Sequence, residues 1–121
     1  MERVLLVEDD LDQLEILYWV IVDHGCDVRT ANTAKAAVSL GKQFRPTLLV
    51  TDFLLSHDVT GIEVIRELRK TDPNLPALLI TGAPAADWRP AVEALGNVDV
   101  IRKPFTRAEF LGRIESMKRA A

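Results

Sequence analysis

The chain has 121 residues, of which 48% are hydrophobic and 27% are charged, and its formal net charge is −3. This length fits one domain around a single core, and the hydrophobic fraction excludes an intrinsically disordered protein. The acidic balance, without a basic stripe, argues against a nucleic-acid partner, because such binding relies on clustered Lys and Arg to neutralise phosphates.

Membrane insertion and disulfide bonding are also disfavoured. The longest apolar-rich run, residues 16–22, is shorter than the roughly 20 residues that span a bilayer, and no signal-like stretch follows Met1. We therefore expect a cytoplasmic protein with no membrane partner. The single cysteine, Cys26, excludes an internal disulfide bond and leaves no Cys/His cluster for zinc.

Predicted strands and helices alternate five times along the chain. Apolar runs without polar alternation predict three strands that are buried on both faces, at residues 4–7, 48–50 and 77–80. Two runs that mix polar and apolar residues predict strands at the sheet edges, at 27–31 and 98–102. Helices are predicted at roughly 10–24, 33–44 and 61–71, in a shorter segment that ends near Leu95, and at 106–119.

Local signals support several of the helix boundaries. Residues 60–63 (TGIE) and 106–109 (TRAE) match the capping box, in which a hydroxyl and a carboxylate satisfy free amides of the first turn reciprocally. Gly25 and Gly96 stand where helices should end, because glycine adopts the left-handed conformation there at little cost.

The fourth helix is predicted to start late and to be short. Pro84 and Pro90 bracket residues 85–89, and proline is tolerated only in the first turn of a helix. A long loop is therefore expected after the fourth strand.

The alternation of strands and helices predicts right-handed crossovers and a parallel sheet with helices on both faces. The predicted fold class is α/β, a doubly wound (βα)5 flavodoxin-like sandwich. The distribution of buried and edge strands is compatible with the strand order 2-1-3-4-5. In such a sheet the ligand crevice opens at the carboxyl ends of the strands, where the winding reverses direction.

Polar and charged side chains that can take part in binding or catalysis stand at these strand ends. They are Glu8-Asp9-Asp10 after strand one, Asp52 after strand three, Thr81 after strand four and Lys103 after strand five. Taken singly, each has an ordinary explanation: an acidic helix start, a loop carboxylate, a hydroxyl that caps a turn, or a surface lysine before a bend. Their joint occurrence at four strand ends predicts one shared site, from which Asp10 is left out because it more naturally begins the first helix.

Carboxylates that converge on one crevice repel one another and require a compensating cation. Oxygen ligands without His or Cys select a hard metal ion, and a shallow, partly hydrated site suits Mg²⁺, for which Mn²⁺ could substitute. A metal ion beside a lysine and a hydroxyl predicts a phosphoryl site. The two cations would offset charge on the phosphoryl oxygens, while the hydroxyl donates a hydrogen bond.

From about residue 3 to residue 118, the chain resembles the receiver domain of two-component response regulators, the CheY-like family. The resemblance rests on Glu8 and Asp9, on Asp52, on Thr81, and on Lys103 followed by Pro104. It implies a phosphoprotein of a phosphorelay, in which Asp52 accepts a phosphoryl group from a histidine kinase or a histidine phosphotransfer protein.

The resemblance also implies roles for the other site residues. The metal ligands would be Glu8, largely through metal-bound water, together with Asp9, Asp52 and the backbone carbonyl of Leu54. Thr81 would contact the phosphoryl group and reorient as the switch. Lys103 would pair with a phosphoryl oxygen, and its bond to Pro104 would be cis.

Three features depart from the family pattern. Val100 stands where the family usually has an aromatic switch residue, residues 53–61 form a longer loop without the frequent proline, and the fourth helix starts late and is bracketed by prolines. These departures leave open a pseudo-receiver, an interaction module that acts without phosphorylation. A phosphatase of the haloacid dehalogenase kind is disfavoured, because it would need a second aspartate where Leu54 stands.

The first helix carries apolar residues on two sides. Residues 17, 20 and 21 are expected to face the sheet, and a second stripe is formed by Leu11, Leu14, Tyr18 and Val22. This stripe fits either burial by neighbouring elements or a docking surface. The resemblance implies that the helix bundle of the phosphodonor docks there.

The resemblance implies one receiver domain over residues 1–121, with no output domain in this chain. It implies a signalling domain rather than an enzyme, with self-phosphorylation and autodephosphorylation as its chemistry. Such a domain could be a phosphoryl relay, a sink or a protein that binds a target when phosphorylated, and we expect a monomer or a weak dimer.

Overall fold

The computed structural model describes residues 1–118 of the chain. Its elements in chain order are β1 (Arg3–Val7), α1 (Leu11–Asp23), β2 (Asp27–Ala31), α2 (Ala34–Phe44), β3 (Leu48–Asp52), α3 (Gly61–Arg69), β4 (Ala77–Thr81), α4 (Ala85–Leu95), β5 (Val98–Arg102) and α5 (Arg107–Met117). Position 119, the predicted end of the last helix, lies outside the described residues. Within the described part, no helix combines the length and apolar character that crossing a membrane requires.

The strands form one parallel sheet in the order β2-β1-β3-β4-β5, which confirms the predicted doubly wound fold. β1 pairs with both β2 and β3, so the winding reverses between β1 and β3. The register aligns Asp52 with Ile80 and Thr81 with Arg102. Because all strands run in the same direction, their carboxyl ends meet at one edge, where the crevice of this fold opens.

Helices cover both faces of the sheet. α1 and α5 pack on one face, where the largest fully buried side chains include Leu6, Ile21, Phe110 and Ile114. α2, α3 and α4 pack on the other face, against Leu5, Leu49 and Leu79. β3 and β4 are buried along their whole length and β1 along all but its first residue, whereas the edge strands β2 and β5 are partly exposed. The predicted central and edge strands are therefore confirmed.

Side-chain caps fix the helix starts nearest the crevice. Asp10 caps α1, since its Oδ1 accepts hydrogen bonds from the backbone N–H groups of Asp12 and Gln13 at 3.0 and 3.2 Å. At α5, Thr106 Oγ1 accepts from the backbone N–H of Glu109 at 3.0 Å, as the capping box predicts. Asp10 is thus engaged by its own helix, in agreement with its omission from the predicted site.

The structure contradicts the prediction for the fourth helix. α4 begins directly after Pro84, runs for 11 residues and contains Pro90, and only three residues separate it from β4. Pro90 removes one backbone hydrogen bond from the helix, because proline has no N–H. The buried indole of Trp88 anchors the first turn, where its Nε1 donates to the Ala83 carbonyl at 3.2 Å. The burial of Trp88 in the core cluster is a tertiary contact, and it offsets the local penalty of Pro90 on which the sequence prediction relied.

A second tertiary contact holds the far end of α4. The guanidinium of Arg69, the last residue of α3, donates to the carbonyl oxygens that end α4 and begin the next turn, at 2.7–3.2 Å: those of Leu95, Gly96 and Asn97. It also donates to the Leu75 carbonyl at 3.0 and 2.9 Å. Carbonyl groups at a helix end lack partners within the helix, so this cation fixes the point where α4 stops.

We expect the variant Pro90→Ala to stabilise the protein. Alanine restores the missing N–H on the exposed side of α4, and the gain should be about 1–3 kcal/mol in the free energy of unfolding. This gain falls short of the full cost of a proline inside a helix, because alanine also gives the unfolded chain more conformational freedom than proline does. Urea denaturation followed by circular dichroism measures this gain.

Pro84→Ala is the matched control. Pro84 precedes the helix with φ of −60°, which proline adopts without strain, so this variant should not stabilise the protein. A Pro90→Ala protein no more stable than the parent would contradict the strain assigned to α4.

Candidate functional site

The predicted site residues do meet at the carboxyl edge of the sheet. Glu8 follows β1, Asp52 and Thr81 are the last residues of β3 and β4, and Lys103 follows β5. Three of these polar side chains are almost fully buried, with exposed fractions of 1% for Glu8, 7% for Asp52 and 1% for Thr81. Buried polar groups of this kind are costly unless they are paired or bind a ligand.

Three carboxylates form a compact acidic cluster. One carboxylate oxygen from each of Glu8, Asp9 and Asp52 lies within 4.8 Å of the others. Glu8 Oε2 is buried and accepts no hydrogen bond from any described residue. Oxygen ligands with an unsatisfied buried acceptor fit a hard divalent cation, so the donor set agrees with the predicted metal site.

Backbone and hydroxyl donors orient the three carboxylates. Glu8 Oε1 accepts from the Asp10 N–H at 3.2 Å, and Asp52 Oδ1 accepts from the Phe53 N–H at 3.1 Å. The Ser56 hydroxyl donates to Asp9 Oδ2 at 3.0 Å. Glu8 and Asp9 are therefore each oriented by one of these donors, and Asp52 is held by a backbone N–H as well as by the Lys103 ammonium described next.

A single ammonium group faces the cluster. Lys103 Nζ lies 3.3 Å from both carboxylate oxygens of Asp52, and its side chain is 39% exposed. The peptide bond between Lys103 and Pro104 is cis, as the resemblance implies. One cation thus compensates one of three neighbouring carboxylates, which leaves the cluster with an excess of negative charge.

Burial and charge shift the acidic pKa values upward. Desolvation, followed by the charge of Asp52, raises the pKa of Glu8 from 4.5 to about 7. Desolvation also raises the pKa of Asp52, although the nearby Lys103 ammonium opposes this shift. Near neutral pH the metal-free cluster therefore holds a proton on Glu8 part of the time, which is the response expected of unbalanced buried carboxylates.

Thr81 is held by the short loop that leads into α4. Its Oγ1 accepts a hydrogen bond from the backbone N–H of Ala83 at 2.9 Å. On β5, Val100 is half-buried and packs against the same core cluster as Trp88. α4 therefore places a large aromatic side chain, Trp88, in the same cluster as Val100 and Phe53, a feature that the sequence analysis missed because Trp88 lies between two prolines.

The loop after Asp52 is a tight reversal. Leu54 and Thr60 form an isolated antiparallel bridge, and His57 and Asp58 adopt left-handed conformations with φ of 66° and 59°. Gly61 closes the loop, because a Cβ there would lie 2.3 Å from the Asp52 carbonyl oxygen. Only glycine allows α3 to begin this close to the acidic cluster.

The α1 stripe is divided between core and surface. Leu14, Tyr18 and Val22 are half-buried and pack against the core, whereas Leu11 is 62% exposed. Residues 17, 20 and 21 are buried, as predicted. The other exposed apolar residues of α1 are Ile16 and Trp19. Neither Ile16 nor Trp19 belongs to one of the two predicted stripes, so the periodicity of the sequence did not identify them as exposed apolar residues.

Fold and site together define a two-component signalling domain rather than a classical enzyme. A family model described as the response regulator receiver domain matches residues 4–115, and the chain belongs to this family. The resemblance drawn from the strand-end residues is confirmed.

Two curated relatives illustrate the sequence similarity. The chain is 31% identical over 116 residues to the probable transcriptional regulatory protein TcrX of Mycobacterium tuberculosis, covering 96% of this chain and 49% of TcrX. It is 32% identical over 117 residues to the cell cycle transcriptional regulator CtrA of Caulobacter vibrioides, covering 97% of this chain and 50% of CtrA. The chain thus spans about half the length of these relatives.

Two solved structures illustrate the structural similarity. The chemotaxis protein CheY4 of Vibrio cholerae superposes with a TM-score of 0.89 at 22% identity, over 97% of this chain and 98% of that chain, which supports the fold. The receiver domain of NtrX from Brucella abortus superposes with a TM-score of 0.84 at 26% identity, over 94% and 96% of the two chains.

The pKa of Glu8 predicts a pH-dependent effect of the variant Glu8→Gln in metal-free protein. A carboxyl group whose pKa is raised on folding stabilises the fold below its unfolded value, near 4.5, and loses this contribution as the pH rises through about 7. Glutamine does not titrate, so the variant should be the more stable protein at about pH 8.5, by on the order of 3 kcal/mol. At about pH 5 the two proteins should differ little.

Thermal and urea unfolding in the presence of a chelator, across this pH range, measure the difference. The exposed Glu15→Gln on α1 is the control and should show no such pH dependence. If the difference in stability between the parent and Glu8→Gln were the same at both pH values, this result would contradict the raised pKa of Glu8.

Proposed function

We propose that this receiver domain accepts a phosphoryl group on Asp52, from a phosphohistidine of a histidine kinase or a histidine phosphotransfer protein, and changes its binding to a partner in response. The observation that carries the proposal is the position of Asp52. Its carboxylate ends β3, lies 3.3 Å from the Lys103 ammonium and belongs to a cluster of three acidic side chains. This is the arrangement needed to bring a nucleophile, a cation and a metal ion to one phosphorus atom.

The metal ion in this proposal is Mg²⁺, with Mn²⁺ as a substitute. Glu8, Asp9 and Asp52 would hold it, with the backbone carbonyl of Leu54 as a further ligand. When bound, the metal supplies positive charge that offsets the charge of the cluster and of the phosphoryl oxygens.

The side chains of the domain perform the remaining work. An Asp52 oxygen attacks phosphorus in line, so that an O–P bond forms while the N–P bond to the donor histidine breaks and the imidazole leaves with the electron pair. Lys103 Nζ neutralises charge on a phosphoryl oxygen, and the Thr81 hydroxyl donates a hydrogen bond to another. Positioning and electrostatics suffice for this chemistry, so no general base is needed. Water later hydrolyses the acyl phosphate and restores the carboxylate.

A pseudo-receiver that binds a partner without phosphorylation is the alternative. Val100 and the altered loop favoured it at the level of sequence. Against it, the five chemically active side chains converge at one edge, and Glu8 Oε2 remains buried and without a hydrogen-bond donor among the described residues. A binding module with no phosphoryl chemistry would have no use for this costly group.

The wider role of the domain follows from the same proposal. The chain matches about half the length of the relatives that are named transcriptional regulators, so the regulation of transcription is a property of those proteins. We propose that this receiver domain, spanning residues 1–121, acts in the cytoplasm as a monomer or weak dimer. It would transmit its phosphorylation state by protein contacts, without contacting nucleic acid or a membrane itself.

Incubation with Mg²⁺ and acetyl phosphate tests the proposal directly. Intact-mass spectrometry should show one phosphoryl adduct that requires Mg²⁺ and is lost on Asp52→Asn. Asp58→Asn is the matched control, because Asp58 is exposed in the same loop and asparagine tolerates its left-handed backbone, so this variant should still be phosphorylated. Absence of a Mg²⁺-dependent adduct on the parent protein would favour the pseudo-receiver.

Ser56 provides a test of the metal site by itself. Hydrogen-bond donors to a ligating carboxylate commonly contribute about 10–100-fold to metal affinity. We therefore expect Ser56→Ala to weaken Mg²⁺ binding by at least about tenfold, measured as a shift in the Mg²⁺ concentration that raises the melting temperature. Ser56→Thr keeps the hydroxyl and should bind Mg²⁺ like the parent. Ser39→Ala, at an exposed position of α2, is the control. Equal affinities for Ser56→Ala and Ser56→Thr would contradict a role for this contact.

A further inference from the structure

Two hydrogen bonds connect Thr81 to the indole of Trp88 through a single residue. The N–H of Ala83 donates to Thr81 Oγ1 at 2.9 Å, and the carbonyl of Ala83 accepts from Trp88 Nε1 at 3.2 Å. Only three residues separate β4 from α4, so the loop has little slack. Any movement of Thr81 Oγ1 away from Ala83 must therefore disturb a residue that also binds the indole.

Trp88 is placed to transmit such a disturbance to the surface. The residue is 6% exposed and belongs to the core cluster under α4. Two guanidinium groups lie over its ring, with their central carbons at 5.6 Å (Arg89) and 5.9 Å (Arg102) from the ring centroid. Both arginine residues are exposed. Arg102 on β5 is also the sheet partner of Thr81 on β4. The residue that stacks on the indole is therefore next to Thr81 in the sheet.

We infer that Trp88 is a positioning residue that couples the state of Thr81 to the outer surface of α4 and β5. In the unphosphorylated domain, Ala83 holds Thr81 and Trp88 at once. When Thr81 turns toward a phosphoryl group on Asp52, the Ala83 N–H loses its acceptor, the Ala83 peptide reorients, and the indole and its two arginines shift. β5 offers Val100 at this level, and Trp88 is singled out from the other buried aromatic of the cluster, Phe53, by its hydrogen bond to Ala83. The phosphorylation-linked half of this inference rests on the proposed function.

The indole N–H is a direct probe of the connection, and the chain has only two tryptophans. In a Trp19→Phe background with ¹⁵N-labelled tryptophan, the single indole resonance reports on Trp88. Thr81→Ala removes the acceptor of Ala83 without any phosphorylation. We expect it to shift this resonance and to raise the exchange rate of the indole N–H by about fivefold or more. Thr81→Ser retains the acceptor and should restore the parent spectrum.

A second arm adds Mg²⁺ and acetyl phosphate and follows the adduct by mass on the same samples. Phosphorylation should shift the Trp88 resonance in the parent in proportion to the fraction of protein that carries the adduct. An adduct that leaves the resonance of the parent unchanged would contradict the phosphorylation-linked half of the coupling. An indole signal that is identical in the parent, Thr81→Ala and Thr81→Ser proteins would overturn the coupling whether or not an adduct forms. An indole signal that responds to Thr81→Ala in a protein that never forms an adduct would support the coupling and refute the proposed function.

Discussion

Three carboxylates share one crevice with a single ammonium group, and this imbalance of charge governs the site. Desolvation alone would make such a cluster unfavourable, and the raised pKa of Glu8 shows how the metal-free domain responds, by keeping a proton. A divalent cation would satisfy the buried Glu8 oxygen and allow all three groups to ionise. In the proposed function, metal binding, phosphoryl acceptance and the reactivity of Asp52 would all follow from this one electrostatic constraint.

The fold creates this imbalance of charge at little cost in stability to the rest of the domain. Parallel strands end at one edge, so residues that are 44 positions apart, such as Glu8 and Asp52, meet without long loops. Gly61 permits α3 to begin against the Asp52 carbonyl, and Asp10 is occupied as the cap of α1. The core on both faces of the sheet is apolar, so the unfavourable burial of charge is confined to the crevice.

Site positions and helix boundaries that have strong local signals could be predicted from the sequence. Features that depend on contacts between residues far apart in the sequence could not. Asp52, Thr81 and Lys103 stand at the ends of strands that are visible in the sequence. The contact from Ser56 to Asp9 joins residues 47 positions apart and has no such signal. The fourth helix was mispredicted because Pro90 is a local penalty, while the contacts that offset it come from the Trp88 indole and from Arg69 on another helix. The α1 stripe was left open between burial and docking for the same reason, since neighbouring elements decide which of its residues are covered.

The proton linkage of metal binding tests the charge constraint most directly. Calorimetric titration with Mg²⁺ in buffers of different ionisation enthalpy gives both the affinity and the number of protons released. Because the pKa of Glu8 is about 7 without metal, Mg²⁺ should bind more tightly at about pH 8.5 than at about pH 6, and should release a proton at the lower pH and almost none at the higher. Absence of Mg²⁺ binding at millimolar concentration, or binding without any proton release at about pH 6, would contradict a single electrostatically coupled site.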